Sequence, residues 1–261
     1  MEILVCMKQV PDDSVEIRLG ASGEPDLSQA EPQGNAFDTY ALELAVRFIE
    51  ANGGTVTVAT VGTENDKVCL RNSLAVGAKA SAQIEGVEKA DAAVTASLLA
   101  AGIKKIEADA GKTFDLILCG RESTDYIGGE VGEILAEKLG LPFVTDVVEV
   151  TPGEGKVTSK KALESGYAIV ETTLPSVFTI SKPNYDPRYP SIKSKLAARR
   201  AVIPTIGKDA LELKDGDLEL KLTHVAYKEP PKRAAGVKIK DDDPEAAVAK
   251  AFEVLAADKV I

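Results

Sequence analysis

The sequence predicts an α/β fold in which a parallel sheet is covered by helices on both faces. Short apolar runs, typical of buried strands, alternate with segments whose apolar residues recur at helical spacing. Strands separated by helices of this length pair in parallel, because the connecting helix carries the chain back across the sheet. Later in the chain apolar and polar residues alternate one by one, which indicates antiparallel strands at one edge.

Four strand–helix units account for the first half of the chain. The expected strands, each a short apolar or β-branched run, cover residues 3–7, 55–61, 81–84 and 116–119. The expected helices, each with apolar residues three and four positions apart, begin near residues 35–38, 66, 91 and 128. Either Asn35 or Asp38 is expected to cap the first helix, because both side chains accept hydrogen bonds from free N–H groups.

The second half of the chain has a different character. Alternating segments that indicate antiparallel or edge strands lie at residues 143–150, 156–163, 167–173 and 177–180. A basic, proline-containing stretch follows at 182–200, and beyond it apolar residues are sparse until a final helix at 245–257. The sequence therefore predicts a core of residues 1–200 and an extended arm of residues 201–261.

Charge and composition argue against several classes of function. The 261 residues include 31 basic and 41 acidic ones, a net charge of −10, and only 5% aromatic residues. A strongly acidic chain with few aromatic side chains is not expected to bind nucleic acid. His224 is the single histidine, so neither a serine–histidine–aspartate relay nor a metal site is expected.

Cysteine usage and the apolar pattern predict a cytoplasmic protein without a membrane span. Cys6, Cys69 and Cys119 are an odd number without metal-like spacing, as expected of reduced, packed thiols. The chain starts with a strand-like run rather than a basic leader and a cleavage site, so secretion is not expected. No apolar run approaches the roughly 20 residues needed to span a bilayer.

Residues 119–132 are the most informative stretch of the chain. They follow an apolar strand, contain Gly120, Gly128, Gly129 and Gly132, and lead into a helix. Unpaired N–H groups at such a helix start bind phosphate through the backbone alone. The stretch is neither a G-x-G-x-x-G fingerprint after the first strand nor a Walker loop. Two interpretations stay open: phosphate binding, or glycines that only let the helix pack closely on the sheet.

Side chains near this stretch have alternative roles. Glu122 and Asp125 could form an acid–base pair, but no nucleophile or metal set accompanies them, so solvation or capping is favoured. Arg121 is expected to contact a phosphate or a flavin, or else to form a surface ion pair. Asn35 and Asp38 are candidates for ribose or adenine contacts besides their capping role.

A cluster of cations stands out in this acidic chain. Five of them lie close together in sequence: Arg188, Lys193, Lys195, Arg199 and Arg200. A solvated helix face is the ordinary interpretation. The more specific interpretation is a docking patch for an acidic partner, because complementary charge raises the rate at which two proteins associate. Ile192, an apolar residue inside this segment, would be its anchor.

Eight short motifs occur in an order found in one known family. They lie at residues 6–12 (CMKQVPD), 35–43 (NAFDTYALE), 74–78 (LAVGA), 116–121 (LILCGR), 131–132 (VG), 174–177 (LPSV), 187–192 with 197–200 (PRYPSI, AARR) and 230–237 (PPKRAAGV). On these motifs the chain resembles the beta subunits of electron transfer flavoproteins, including the nitrogen-fixation-type members, over almost its whole length. The resemblance implies a Rossmann-like fold and a heterodimer whose alpha subunit holds the electron-transferring FAD.

The resemblance also implies site residues. This subunit would bind an adenine nucleotide, which is AMP in the simple carriers and a second FAD in the electron-bifurcating ones. By position, the nucleotide-contacting residues are Cys6, Lys8, Asn35, Ala36, Phe37, Asp38, Val61, Gly120, Arg121, Glu122, Ser123, Thr124, Asp125, Gly128, Gly129, Glu130 and Val131. Residues 182–200 would be the recognition loop, with Ile192 as its anchor and Arg188, Tyr189, Lys193, Lys195, Arg199 and Arg200 around it.

FAD is favoured over AMP, because residues 8–12 and 37–43 are more similar to the bifurcating and anaerobic types than to the mitochondrial type. The adenosine diphosphate would lie on residues 120–131, with the flavin ring facing residues 8–12. NADH would reduce this flavin, sending one electron to a ferredoxin or flavodoxin and the other to the alpha-subunit flavin. An acyl-CoA or other flavin dehydrogenase is the expected partner, and no independent catalytic residue is expected.

Two other functions remain as alternatives. One is a non-bifurcating beta subunit that holds structural AMP; the other is a stand-alone regulatory protein that binds an adenine nucleotide. Residues 182–200 and the arm at 201–261, expected to pack on the alpha subunit, favour a subunit, since a stand-alone sensor needs neither. A nicotinamide dehydrogenase is poorly supported, because no residue set could bind and polarise a substrate.

Overall fold

A computed structural model describes residues 1–87, 89–232 and 235–261. It confirms the predicted α/β fold class, with a large, mostly parallel sheet flanked by helices and antiparallel strands at one edge. The chain divides into two units: residues 1–17 with 25–225, and residues 18–24 with 226–261. Arg233 and Ala234, part of the last family motif, lie outside the described residues.

The strands and helices have the following bounds. The strands are β1 (Glu2–Cys6), β2 (Gln9–Pro11), β3 (Arg18–Leu19), β4 (Pro25–Asp26), β5 (Pro32–Gly34), β6 (Thr55–Gly62), β7 (Ala80–Glu85), β8 (Leu116–Gly120), β9 (Phe143–Pro152), β10 (Lys156–Ala162), β11 (Tyr167–Thr173), β12 (Ser176–Ile180) and β13 (Thr205–Ile206). The helices are α1 (Ala36–Asn52), α2 (Lys67–Val76), α3 (Ala92–Ala110), α4 (Val131–Leu139), α5 (Ile192–Arg199) and α6 (Pro244–Ala257).

The main sheet of the first unit is doubly wound around β1. Its order is β11-β10-β9-β12-β8-β1-β6-β7-β13. The pairs from β9 to β13 are parallel, whereas β10 is antiparallel to both of its neighbours. From β1 the chain moves outward through β6 and β7, then returns to the other side of β1 as β8 and β12. The strand order therefore reverses between β1 and β8.

Two apolar layers cover the faces of this sheet. Successive residues of a strand point to opposite faces, so Ile3 and Val5 pack under α1 and α2, while Leu4 and Cys6 pack under α3 and α4. Because both faces of β1 are covered, its sequence is a continuous apolar run rather than an alternation. Because β1 and β8 are adjacent and parallel, their carboxyl ends lie together at one edge of this buried sheet.

The structure differs from the sequence prediction at two places in the first unit, the strand at 177–180 and the start of α4. Residues 177–180, predicted as an antiparallel or edge strand, lie in β12, which pairs in parallel with both β8 and β9 and is buried because both of its faces are covered. Helix α4 begins at Val131 rather than near Gly128, because residues 121–130 form a loop with a turn in which Ile127 N–H donates to Ser123 O at 2.8 Å. The first unit extends to Val225 and includes β13, which pairs with β7.

The second unit contains α6, whose start is capped by Asp243. The Asp243 carboxylate accepts a hydrogen bond from Glu245 N–H at 3.1 Å. No residue of α6 is buried within the described residues, and Val248, Phe252 and Leu255 are exposed. Across the described ranges, none of the helices is long and apolar enough to cross a membrane.

Candidate functional site

The predicted site residues gather where the strand order reverses. In open α/β sheets, ligands bind beyond the carboxyl ends of the strands at this position. Four segments meet here: the residue pair after β1, the start of α1, the end of β8 and the loop at 121–130. We call this region the switch-point crevice.

Asp38 joins the ends of the two central strands. Its carboxylate accepts hydrogen bonds from Lys8 N–H at 2.7 Å and from Gly120 N–H at 2.8 Å. The side chain comes from the first turn of α1 and is buried, and burial raises its pKa to about 6 although both hydrogen bonds oppose the rise. A Cβ atom at Gly120 would lie 2.3 Å from the Asp38 carboxylate, so this approach requires glycine.

Asn35 holds the loop at 121–130 rather than capping α1. Its side-chain amide donates to Glu122 O at 2.8 Å and accepts from Thr124 N–H at 3.1 Å. Asn35 is the residue that precedes α1, but within the described residues its side chain makes no capping hydrogen bond. The predicted capping role of Asn35 is therefore wrong, because both ends of the amide are used by the loop.

Lys8 bridges the crevice from the opposite side. Its ammonium lies 2.7 Å from the Asp125 carboxylate, 3.4 Å from Ser123 Oγ and 5.0 Å from the centre of the Tyr126 ring. The side chains of Lys8 and Asp125 are 44% and 20% exposed. An acidic residue of the loop is thus neutralised by a cation from the end of β1.

Arg121 forms the ion pair that was one of its expected roles. Its guanidinium binds the Glu122 carboxylate and lies 4.7 Å from the centre of the Phe37 ring. Ala36, next to this ring, is exposed at the first position of α1. Lys8 and Arg121, the two cations that these segments bring to the crevice, are thus each paired with a carboxylate. A phosphate bound there would depend mainly on backbone N–H groups.

Two thiols lie beneath the crevice. Cys6 and Cys119 are buried on adjacent strands and belong to the same apolar layer. A hydrogen bond with Cys119 and burial raise the pKa of the Cys6 thiol well above its ordinary value. Val61, half-buried near the end of β6, packs against the same layer. These three side chains are part of the apolar layer under α3 and α4, and the raised pKa of Cys6 disfavours its reactive thiolate form.

The glycine turn precedes α4. Gly129 has a φ of 67°, in the left-handed region that favours glycine, and Glu130 is the residue before the helix. Within the described residues, the Glu130 side chain makes no capping hydrogen bond, and a Cβ atom at Gly128 would meet no atom within 4 Å. The turn before α4 is thus open at Gly128, and the first N–H groups of a helix have no acceptor within the helix, which is the arrangement that anions bind.

The predicted docking residues divide into two groups. Tyr189 and Ile192 are 96% and 81% exposed, and Lys193, Lys195, Arg199 and Arg200 are exposed on α5. Arg188 instead binds two carboxylates of α1, those of Glu43 and Glu50. Neither carboxylate was predicted to contact the docking residues. Their spacing of seven residues, two helical turns, was the signal that places them on one face of α1.

The fold and this crevice define an open, doubly wound α/β protein of the class whose ligands bind at the switch point. Comparison with known proteins identifies the family. Residues 28–211 match the Electron transfer flavoprotein domain family.

Curated relatives are similar over the length of the chain. The electron transfer flavoprotein subunit beta of Megasphaera elsdenii is 33% identical over 276 residues, covering 100% of both chains. The subunit beta of Thermoanaerobacterium thermosaccharolyticum is 36% identical over 225 residues, 85% of this chain and 84% of that one. That of Bacillus subtilis is 30% identical, covering 95% of each. The chain belongs to the electron transfer flavoprotein family, among the beta subunits, and the predicted resemblance is confirmed at that level.

Proposed function

We propose that this protein is the beta subunit of a heterodimeric electron transfer flavoprotein, in which it binds an adenine nucleotide in the switch-point crevice. The observation that supports this most is the similarity to beta subunits over the whole chain, with the crevice built from the motifs at residues 6–12, 35–43 and 116–121. The role of the chain is to hold and orient a cofactor, since a flavin supplies its own redox chemistry.

The residues present fit a nucleotide phosphate. The open space at Gly128 and the first N–H groups of α4, which have no acceptor within a helix, suit an anion. The Lys8 ammonium lies against Ser123 and Asp125 of the loop that leads into this helix. Glu122 and Asp125 would repel phosphate if unpaired, but Arg121 and Lys8 neutralise them. In this proposal Asn35 and Asp38 keep the loop and the strand ends in place around the ligand.

We favour FAD over AMP in the crevice, with electron bifurcation from NADH as the activity. The support is the sequence of residues 8–12 and 37–43, which is more similar to the bifurcating and anaerobic branch. In this proposal the diphosphate lies on residues 120–131 and is held mainly by backbone N–H groups, while the flavin ring faces residues 8–12. A ferredoxin or flavodoxin and an acyl-CoA or other flavin dehydrogenase would receive the electrons.

A partner chain is supported by the second unit. Helix α6 exposes Val248, Phe252 and Leu255, at a spacing of four and three residues that places them on one face. An apolar helix face of this kind, with no buried residue within the described ranges, is a surface that a partner covers. In this proposal the alpha subunit, with its own FAD, binds the C-terminal arm.

The nucleotide content of the purified heterodimer tests the proposal. Two flavins per heterodimer are expected, measured by absorbance after denaturation and by chromatography of the released nucleotides. One flavin with one AMP would contradict the FAD and bifurcation proposal but keep the beta-subunit role. A heterodimer with no nucleotide in this subunit would overturn the proposed site.

Expression of the chain alone tests the subunit role. Without its partner the chain is expected to aggregate or to lose its nucleotide, because the apolar face of α6 is uncovered. A stable monomer that retains a nucleotide would instead support the stand-alone regulatory protein. Phe252→Asp, co-expressed with the alpha subunit, should weaken the heterodimer in size-exclusion chromatography, whereas Lys105→Gln, on α3 of the first unit, should not.

A further inference from the structure

One arginine ties the segment before α5 to helix α1. Arg188 N–H and Nε–H donate to Glu43 Oε2 at 3.1 and 2.9 Å, and Nη2–H donates to Glu43 Oε1 at 3.2 Å. Its Nη1–H and Nη2–H donate to the two oxygens of Glu50 at 2.6 and 2.9 Å. The planar guanidinium thus binds two carboxylates that lie two turns apart on α1.

The surroundings show that this is a fixed contact. The Glu43 side chain is 2% exposed and also accepts from Arg47 Nε–H at 2.6 Å. Burial alone would raise the pKa of Glu43, but hydrogen bonds from Arg188 and Arg47 bring it below its ordinary value. Hydrogen bonds to Glu50 and Glu43 raise the pKa of Arg188. A buried carboxylate held by two guanidinium groups is costly to separate from either of them.

The charge of Arg188 is therefore engaged within the chain. Among the contacts described, no comparable ion pair or side-chain hydrogen bond to α1 involves its exposed neighbours Tyr189 and Ile192 or the cations of α5. The contact lies four residues before Ile192, at the point where α5 is about to begin after its cap, Ser191. It fixes the base of residues 182–200, which we call the docking segment, and leaves Tyr189 and Ile192 exposed.

We infer that Arg188 is a positioning residue, which fixes the docking segment on α1 and does not itself contact the partner dehydrogenase. This inference rests on the proposed function of residues 182–200 as a docking segment. Helix α1 also supplies Asn35, just before it, and Asp38 to the switch-point crevice, so one rigid element orients both regions. A segment fixed in its binding conformation loses less conformational entropy when the partner binds.

Glu50 provides the decisive variant, because it is exposed and its loss does not leave a buried charge. If Arg188 only positions the segment, Glu50→Gln and Arg188→Gln should each slow electron exchange with the dehydrogenase about 2- to 10-fold. If Arg188 were a charge contact for an acidic partner, Glu50→Gln would leave the rate unchanged or raise it. The two interpretations thus predict effects of opposite sign, and a rate that does not fall would overturn the inference.

The experiment measures the second-order rate constant of electron exchange in the purified heterodimer, together with its nucleotide content. Arg188→Lys keeps the charge but loses the bidentate geometry, so it should also slow exchange. The double variant Arg188→Gln/Glu50→Gln should be no slower than Arg188→Gln alone, because both changes remove the same contact. Additive losses would contradict the inference. Lys105→Gln, which breaks an exposed ion pair with Asp109 on α3, is the matched control for charge.

Hydrogen exchange separates this inference from the proposed function. Arg188→Gln and Glu50→Gln should each raise amide exchange in residues 184–200, with nucleotide content unchanged. Faster amide exchange with no change in electron exchange would show that the contact orders the segment but that the segment does not dock, which overturns the inference. If the unaltered heterodimer exchanges no electrons with flavin dehydrogenases, the proposed function fails. If it does, and neither variant changes electron exchange, only the positioning role fails.

Discussion

The carboxylate of Asp38 accepts a hydrogen bond from the backbone N–H of Gly120, so the first turn of α1 is fixed directly to the end of β8. The same carboxylate accepts from Lys8 N–H, after β1. These are the two strands between which the strand order reverses. A single buried side chain therefore holds the ends of these two strands together at the base of the crevice.

The pKa of Asp38 predicts a pH dependence of stability. Burial raises this pKa from 3.8 to about 6 in the folded chain. Between these two values the unfolded chain has lost the proton and the folded chain still binds it. The free energy of unfolding attributable to Asp38 should therefore fall by up to about 3 kcal/mol as pH rises from about 4 to 6, and then level off.

Urea unfolding of the wild type and Asp38→Asn at several pH values measures this contribution. The difference between the two free energies of unfolding isolates Asp38, because carboxylates elsewhere with lowered pKa values, such as Asp217, contribute with the opposite sign in both proteins. Asp109→Asn, an exposed aspartate of α3, is the control. A difference that does not vary with pH would show that Asp38 titrates as it does in the unfolded chain.

Gly120→Ala should destabilise the fold. The added Cβ atom would lie 2.3 Å from the Asp38 carboxylate and 2.7 Å from Asp38 N, so the strand end or α1 must move. Overpacking of this kind costs about 1–3 kcal/mol. The measurement is the shift of the urea midpoint, with Gly128→Ala as the matched comparison.

In Gly128→Ala the new methyl group meets no described atom within 4 Å, so the midpoint should stay near that of the wild type. Equal destabilisation by both substitutions would mean that loss of glycine flexibility, and not the close approach to Asp38, is the cause.

Asn35→Ala should loosen the loop at 121–130. The substitution leaves Glu122 O and Thr124 N–H without their partner, at a cost of about 1–3 kcal/mol where these groups are shielded from water. Amide hydrogen exchange of peptides from this loop should become faster, and nucleotide retention on gel filtration should fall. Asn65→Ala, in the exposed turn at Glu64–Asp66, should change neither quantity.

Ile192→Ala should weaken docking without affecting the fold. The side chain is 81% exposed, so its truncation removes little packing within the chain. As an anchor it would contribute about 1–2 kcal/mol to binding, which slows electron exchange with the dehydrogenase at low concentrations. Val225→Ala, at a side chain that is 92% exposed, is the matched control. Equal rates for the two variants would remove Ile192 from the docking surface.

Most of the fold could be predicted because local pattern determines it. The apolar runs gave β1, β6 and β8 within one or two residues of their observed bounds, and helical spacing gave α1 and α3. The start of α4 was placed too early, because glycines leave the chain free to form a loop before the helix and the ties that fix this loop are long-range. β13 was not predicted, since two residues show no periodicity.

The residue types of the site could be predicted from the sequence, but the contacts between these residues could not. Lys8 and Asp125 are 117 residues apart, and nothing in either segment indicates that they meet. Asn35 was one of two predicted caps, with Asp38, because capping is a usual local role of both residue types, while the partners of its side chain are 87 and 89 residues away. The contact of Arg188 with Glu43 was missed for the same reason, at a separation of 145 residues.

The crevice is built from segments that are far apart in sequence, and this has a consequence for the kinetics of folding. Because contacts between distant segments form late, we expect the walls of the crevice to come together only after the central strands have paired, and the ligand to find no binding surface before then. A nucleotide that recognises this arrangement should leave the refolding rate unchanged and should slow the unfolding rate, since its contacts are absent from the transition state. Bound cofactor would therefore act on the lifetime of the native state rather than on how fast it is reached.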